Sequence, residues 1–346
     1  MKQEIKNLTL EEIAQFLTSS GEKPYHAQQI ALWIYKKDVS NFGEMTDLSL
    51  KLREKLKENF VIQDIRLIAE KVSEIDATRK FLFQLADGQK IEAVLIPSIN
   101  RFTACLSTQI GCKFGCIFCA SGREGFVRNL EPGEMVNQLQ FMIRNLNLLK
   151  QRVNNVVFMG MGEPLDNYDN LIKAIKIINH PYALNIGARK ITISTCGLAD
   201  KILRLAQENI QVELSVSLHA PNDKLRSALM PVNQKYPLKS LISACQKYFL
   251  STKRLVTFEY LLIKDVNDTQ RNLRELRELL KGFKGKVNLI IYNPFKGINF
   301  EPSSIERAIV FQKVLKTAGI ITTIRQSKGR DIEAACGQLL LKRENG

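Results

Sequence analysis

From residue 102 onward the chain alternates between short apolar, β-branched runs and longer stretches with helical spacing. The runs are FTACLST, NNVVFMG, KITIST, VELSVSLH, LVTFEYLLI, VNLIIYN and ITTIRQ. Most are separated by segments such as EMVNQLQFMIRNLNLL, NLIKAIKIIN, LKSLISACQKYFL and IERAIVFQKVLKTAG. Apolar strands joined by helices pair in parallel and lie buried on both faces. The six βα units fall short of an eight-unit barrel, so a partial (β/α)6 barrel or an open sheet is expected. Either architecture gathers functional side chains at the C-terminal ends of the strands. Those ends carry STQIGC, MGMGEP, STCG, SLHAPND, IKDVND and YNPF, the glycine-rich and polar parts of the chain.

The first 60 residues have a different rhythm. In LTLEEIAQFLTSS, Thr9 is placed as an N-cap with Glu12 three positions on, a capping box. KPYHAQQIALWIYKK opens a second helix near Pro24, and LSLKLREKLKENF makes a third. Residues 61–100 change character again. In KFLFQLADGQKIEAVLIP, Asp87-Gly88 separates two apolar runs, which predicts a hairpin. The expected organisation is a helical N-terminal domain (1–60), a β-hairpin connection (61–100), a partial α/β barrel (101–330) and a C-terminal segment (331–346).

GCKFGCIFCAS packs Cys112, Cys116 and Cys119 into a C-x3-C-x2-C pattern. A structural zinc site takes four protein ligands, commonly from two separated pairs, and no second pair accompanies these three. A disulfide framework leaves a thiol over, because the chain has seven cysteines. The N-terminus lacks the apolar stretch of a signal peptide, and no run approaches the roughly 20 apolar residues of a membrane span. A cytoplasmic, reducing compartment is therefore expected, where clustered cysteines bind metal or do chemistry. Thiolate ligation at this spacing points to an iron–sulfur cluster. Three thiolates on a [4Fe–4S] cluster leave one iron open to an external ligand.

C-x3-C-x2-C after the first strand of a βα barrel resembles the radical S-adenosylmethionine (SAM) superfamily, in which SAM takes the open iron. MGMGEP then resembles the strand end that meets the SAM amino group, with Gly162 allowing close approach and Glu163 accepting from an ammonium. The set IEAVLIP, RFTACLSTQIGCKFGCIFCASGREGFVRNL, FMGMGEPL, VSLHAPND, LMPVNQKYPL, YNPF and DIEAACGQL resembles the dual-specificity RNA methyltransferases of the RlmN/Cfr family over essentially the whole chain. By motif, the resemblance implies cofactor contacts at Ser194, Ser217, Leu218, His219 and Asn293. STCG departs from the family at Cys196, as does QSKGRD around the turn near the C-terminus.

The resemblance implies a ping-pong reaction with two SAM molecules. Carbon 2 of adenine is an sp² carbon with no lone pair, so it cannot take a methyl group from a sulfonium by displacement. In the family, the cysteine matching Cys336 is methylated first, a hydrogen is then abstracted from that methyl group, and the carbon radical adds to the base. Cys105 matches the thiol that resolves the resulting adduct through a transient disulfide with Cys336. Glu92 matches the family's proton acceptor, though read alone it is a solvated carboxylate on a hairpin. Whether Glu92 or Cys105 takes the ring proton stays open.

Formal net charge is +15, which suits a polyanionic partner or merely a basic enzyme. The resemblance implies 23S rRNA at the peptidyl transferase centre, some tRNAs, and an electron donor such as flavodoxin. KLREKLK, GREGFVRNL and QSKGRD are the candidate phosphate contacts. GEPL, GFVRNL and SLHAPND resemble the carbon-2 branch of the family. The alternatives are the carbon-8 branch and a radical-SAM enzyme of other specificity. A monomer with no membrane association is expected.

Overall fold

The protein, described here by a computed structural model, is defined over residues 2–123, 125–295 and 297–339. Glu124 of GREGFVRNL and residues 340–346 of the C-terminal segment lie outside the described residues. Ten strands form one sheet: β1 (Arg66–Val72), β2 (Arg79–Gln84), β3 (Lys90–Ser98), β4 (Arg101–Cys105), β5 (Val153–Phe158), β6 (Ile191–Thr195), β7 (Glu213–Ser217), β8 (Val256–Leu262), β9 (Gly285–Ile291) and β10 (Ile321–Arg325). Their order across the sheet is their order in the chain. From β1 to β4 the pairing is antiparallel. From β4 to β10 it is parallel.

The helices are α1 (Leu10–Ser19), α2 (His26–Tyr35), α3 (Leu50–Asn59), α4 (Pro132–Leu148), α5 (Tyr168–Asn179), α6 (Ala199–Leu205), α7 (Asp223–Leu229), α8 (Leu238–Thr252), α9 (Gln270–Leu279) and α10 (Ile305–Thr317). Those from α4 onward make the crossovers between parallel strands, giving the expected six βα units followed by β10. Central strands are near-continuously apolar: in β8, Phe258, Tyr260 and Leu262 are buried, as is Leu261 between them. The Thr9–Glu12 capping box is formed at the start of α1. One apolar core runs from the N-terminal helices into the sheet. α4 is the platform for those helices: Lys6 Nζ donates to Asn137 Oδ1 at 2.7 Å, and Arg144 pairs with Asp38 and Asp64.

Sequence reasoning anticipated the β2–β3 hairpin but not β1. Every residue of β1 is exposed, so RLIAEKV shows no buried face, and only pairing with β2 makes it a strand. The β1–β2 turn has a job at the other end of the chain. Ser73 Oγ donates to Asp331 Oδ1 at 2.8 Å, the Glu74 amide to Asp331 Oδ2 at 3.2 Å, and the Gly329 amide to Asp76 Oδ2 at 2.9 Å. The segment leading to Cys336 is thereby held against the antiparallel end of the sheet.

Candidate active site

The cysteine loop leaves β4 inside a small frame. Gln109–Gly111 pairs antiparallel with Phe126–Asn129, and the Cys112 amide donates to the Gly125 carbonyl at 2.8 Å. Gly111 has φ +72°, and a Cβ there would lie 1.8 Å from the Gly125 oxygen, so only glycine lets the frame close. The loop is pinned at its far end by two longer-range bonds. The Ile117 amide donates to Leu229 O at 3.1 Å, and the Ala120 amide to Gly337 O at 2.8 Å.

Cys112, Cys116 and Cys119 line one chamber of about 170 Å³ at the C-terminal ends of the parallel strands. Gly162, Glu163, Ser194, Ser217 and His219 line it with them. Leu218 is fully buried behind the wall, and Asn293 contacts the C-terminal segment instead, its Nδ2 lying 3.5 Å from Cys336 O. Gly162 also answers a packing need. With φ +93°, its missing Cβ makes room for the Gln109 side chain, 2.4 Å from where that Cβ would sit. Glycine at this position is required by packing on the exit from β4.

Glu163 is buried, and its carboxylate accepts from the Leu165 amide at 3.0 Å and the Cys196 amide at 2.7 Å. Burial raises its pKa, and those bonds oppose the rise. Cys196, the departure from the family pattern, is thus the residue whose backbone orients Glu163, and its side chain lines the chamber too. Arg226 is a functional residue that sequence reasoning missed. It is 0% exposed, and its guanidinium donates to Cys196 O at 2.7 Å, Ser217 O at 3.0 Å and Leu218 O at 3.2 Å. One cation therefore ties the ends of β6 and β7 together. Nothing in KLRSAL distinguishes it from an arginine on a helix surface.

His219 accepts the Leu261 amide proton at Nδ1, 3.0 Å away, so the ring presents Nε2–H as a donor. Burial, with Arg226 adding to it, holds its pKa down to about 3. The unfolded chain therefore binds a proton here at a pH where the folded one does not. Stability contributed by neutral His219 is full above about pH 6.5 and is lost as pH falls towards 3. His219→Asn is expected to flatten unfolding stability between pH 7.5 and 5 by about 2 kcal/mol relative to the parent protein, read by urea titration at each pH. Parallel pH curves for the two proteins would refute it.

A second, larger cavity of about 440 Å³ adjoins the chamber. Cys105 is on its wall, and Arg101, Arg325 and Lys328 give it positive charge. Cys119, Met159, Gly160, Ile290, Arg325, Cys336 and Gly337 belong to both cavities. Cys336 is exposed, and Ala334 two residues earlier packs with Cys105, Val94 and Met161. Cysteines 231 residues apart in the chain thus face one space. Burial pushes the Cys105 thiol up to about 12, with Cys336 adding to the rise and Arg325 opposing it.

Glu92 is not the solvated carboxylate that a lone reading of the hairpin suggests. It is buried, and Oε1 pairs with Lys80 Nζ at 3.1 Å. The same ammonium donates to Glu333 O at 3.1 Å, three residues before Cys336. Glu92 sits behind the cavity walls, joined through Lys80 to the C-terminal segment.

The donor set suits an iron–sulfur cluster. No group of His, Cys, Asp or Glu among the described residues is drawn to the spacing of a single metal ion. A cubane takes its thiolates on separate irons. Burial raises all three thiol pKa values, Cys112 to about 12. Three adjacent thiolates here need the positive charge that iron supplies. Asn293 Oδ1 is buried with no partner among the described residues, an acceptor available to a bound group.

The fold and the chamber together define a radical-SAM enzyme, and residues 106–280 match the family described as Radical SAM superfamily. Residues 3–62 match the Ribosomal RNA large subunit methyltransferase N-terminal domain. The chain is 48% identical over 338 residues, 98% of each chain, to "Probable dual-specificity RNA methyltransferase RlmN" of Thermoanaerobacter sp. (strain X514). It is 47% identical over 335 residues, 97% of each chain, to the protein of the same name from Clostridium novyi (strain NT). A crystal structure of a radical SAM methyltransferase from Sphaerobacter thermophilus superposes with a TM-score of 0.91 at 43% identity, covering 97% of this chain and 99% of that one. The chain belongs to the RlmN family of dual-specificity radical-SAM RNA methyltransferases.

Proposed function

We propose that this enzyme methylates carbon 2 of an adenine in the peptidyl transferase centre of 23S rRNA, and an adenine of some tRNAs. The observation that carries the reading is the position of Cys336 in the wall shared by the two cavities. A carrier thiol must meet the methyl donor on one side and the base on the other. The bound cluster and SAM supply the methyl group and the radical that activates it. Cys112, Cys116 and Cys119 hold the cluster, while Glu163, Ser194, Ser217 and His219 line the space for SAM.

Cys336 carries the methyl group, and Cys105, in the larger cavity, attacks its sulfur, breaking the sulfur–carbon bond to release the product as a transient disulfide forms. Glu92 is the proton acceptor, reached when the C-terminal segment shifts the Lys80 ammonium that now holds it. Arg101, Arg325 and Lys328 meet phosphate at the mouth, supporting an RNA occupant for the larger cavity. The target base must leave its stack to enter. The N-terminal helices dock the RNA. The enzyme works as a cytoplasmic monomer with an electron donor such as flavodoxin. Among the described residues, no helix is long and apolar enough to cross a membrane.

Mass mapping of 23S rRNA from a deletion strain complemented with this gene tests the site of methylation. A methyl group on carbon 2 of a single adenine is expected. A methyl group on carbon 8, or none, would overturn the assignment.

A further inference from the structure

The chain beyond β10 carries Cys336, and no helix or strand follows β10 among the described residues. Individual contacts must therefore place the thiol. At the downstream end, Gly337 O accepts from the Ala120 amide at 2.8 Å and Gln338 Nε2 donates to Pro294 O at 2.7 Å. At the upstream end, the segment and the β1–β2 turn grip each other reciprocally. The Gly329 amide of the segment donates to Asp76 of the turn at 2.9 Å. The Glu74 amide and Ser73 hydroxyl of the turn donate to Asp331 of the segment at 3.2 and 2.8 Å. Each carboxylate takes a backbone N–H from the other piece of chain, a charge-assisted bond in both directions.

The two surfaces are fitted to each other. Ser73 and Thr78 of the turn are buried. Gly329 has φ +65°, and a Cβ there would come within 2.9 Å of the Thr78 and Ala334 side chains. Gly329 O accepts the Ala334 amide at 2.8 Å, closing residues 329–334 into a compact knuckle. Within it Glu333 has φ +53°, a left-handed conformation that a residue with a Cβ keeps only where its surroundings impose it. The Glu333 carbonyl is the one held by Lys80 Nζ. Ala334, at the end of the knuckle, buries with Cys105.

We propose that Asp76 and Asp331 are positioning residues for the methyl carrier, their clasp setting Cys336 in the wall between the chamber and the larger cavity. This rests on the reading of Cys336 as the carrier. Without the clasp, Glu333 relaxes out of the left-handed region and the thiol samples positions away from the methyl donor. The rate then falls through orientation and not through cofactor affinity. Ser194 and Ser217 stand on β6 and β7, which β2 to β5 separate from β1 in the sheet.

The test is methylation of Cys336 in full-length, anaerobically reconstituted protein at saturating SAM, without RNA or reductant, read by peptide mass spectrometry. The Cys336 sulfur takes the methyl group, its thiol proton passes to solvent and S-adenosylhomocysteine leaves. Asp76→Ala combined with Asp331→Ala is expected to react roughly tenfold more slowly than the parent, with S-adenosylhomocysteine affinity by calorimetry held within about twofold. Hydrogen exchange at the amides of residues 329–336 rises about tenfold, while that of β6 to β8 stays at the parent level. Asp331→Asn in the otherwise unchanged chain keeps an acceptor for Ser73 and retains most of the parent rate. Ser73→Ala cuts the same contact from the turn and slows the reaction about threefold, which covers the case in which the double variant fails to fold. Parent-like methylation or unchanged exchange overturns the proposal. So does a loss of affinity that matches the loss of rate, the mark of general unfolding. A parent protein that takes no methyl group at Cys336 overturns the carrier reading, and the exchange measurement then decides the clasp by itself.

Discussion

Cys336→Ala is expected to abolish methyl transfer to RNA, and Cys105→Ala to trap a covalent protein–RNA adduct. The argument is chemical before it is structural. If the target is the proposed sp² ring carbon, it cannot displace a sulfonium, and the methyl group would need a carrier that first takes it and then presents it as a carbon radical. Apart from Cys119 of the cysteine loop, Cys336 is the thiol that lines both cavities, and Cys105 shares the larger one. Transfer is read with labelled SAM, and the adduct as an RNase-sensitive mobility shift on denaturing gels. The cluster absorbance of both variants should match the parent, which separates loss of the carrier from loss of the site. Wild-type transfer by Cys336→Ala would end the carrier mechanism.

Arg226→Met is expected to cost about 4 kcal/mol of stability. Methionine fills the volume but takes the guanidinium from the carbonyls of Cys196 and Ser217, at about 1–3 kcal/mol each, while Leu218 O keeps the Ala220 amide at 2.7 Å. Relaxation recovers part of that sum. Gly197 shows how closely the guanidinium is packed: with φ +110°, a Cβ there would come within 3.0 Å of Nη2. The variant should also bind S-adenosylhomocysteine poorly, because the ends of β6 and β7 carry Ser194, Ser217 and His219. Chemical denaturation of the cluster-free protein measures the loss, and a drop below about 1 kcal/mol would contradict this account.

The strands and the cysteine loop were legible because their signals are local. An apolar run such as VTFEYLLI, or three cysteines within eight positions, can be read without knowing what lies opposite. β1 was not legible because an edge strand with both faces in solvent carries no apolar period. The burial of Glu92 was missed for another reason. Its partner Lys80 is 12 residues away and comes beside it only through the register of the β2–β3 pair. Arg226 and the Ser73–Asp331 bond were hidden by the same rule, since their partners are set by tertiary contact. Gly162 was found through its motif, whereas the Gln109 side chain packed where its Cβ would be was not legible.

The chain-ordered sheet bears on how the enzyme is made. Each new strand can pair with the one synthesised just before it, so the sheet can grow from one edge as the polypeptide emerges. The stretch from Gly329 to Gln338 breaks that rule. It returns across the whole sheet to Asp76, Lys80, Ala120 and Pro294, contacts that become available only when every strand is in place. The thiol that would carry the methyl group is therefore the last part of the machinery to arrive. A chain stalled before this segment would lack Cys336 and Gly337 from the chamber wall, and with them both the proposed carrier thiol and the carbonyl that pins the Ala120 amide.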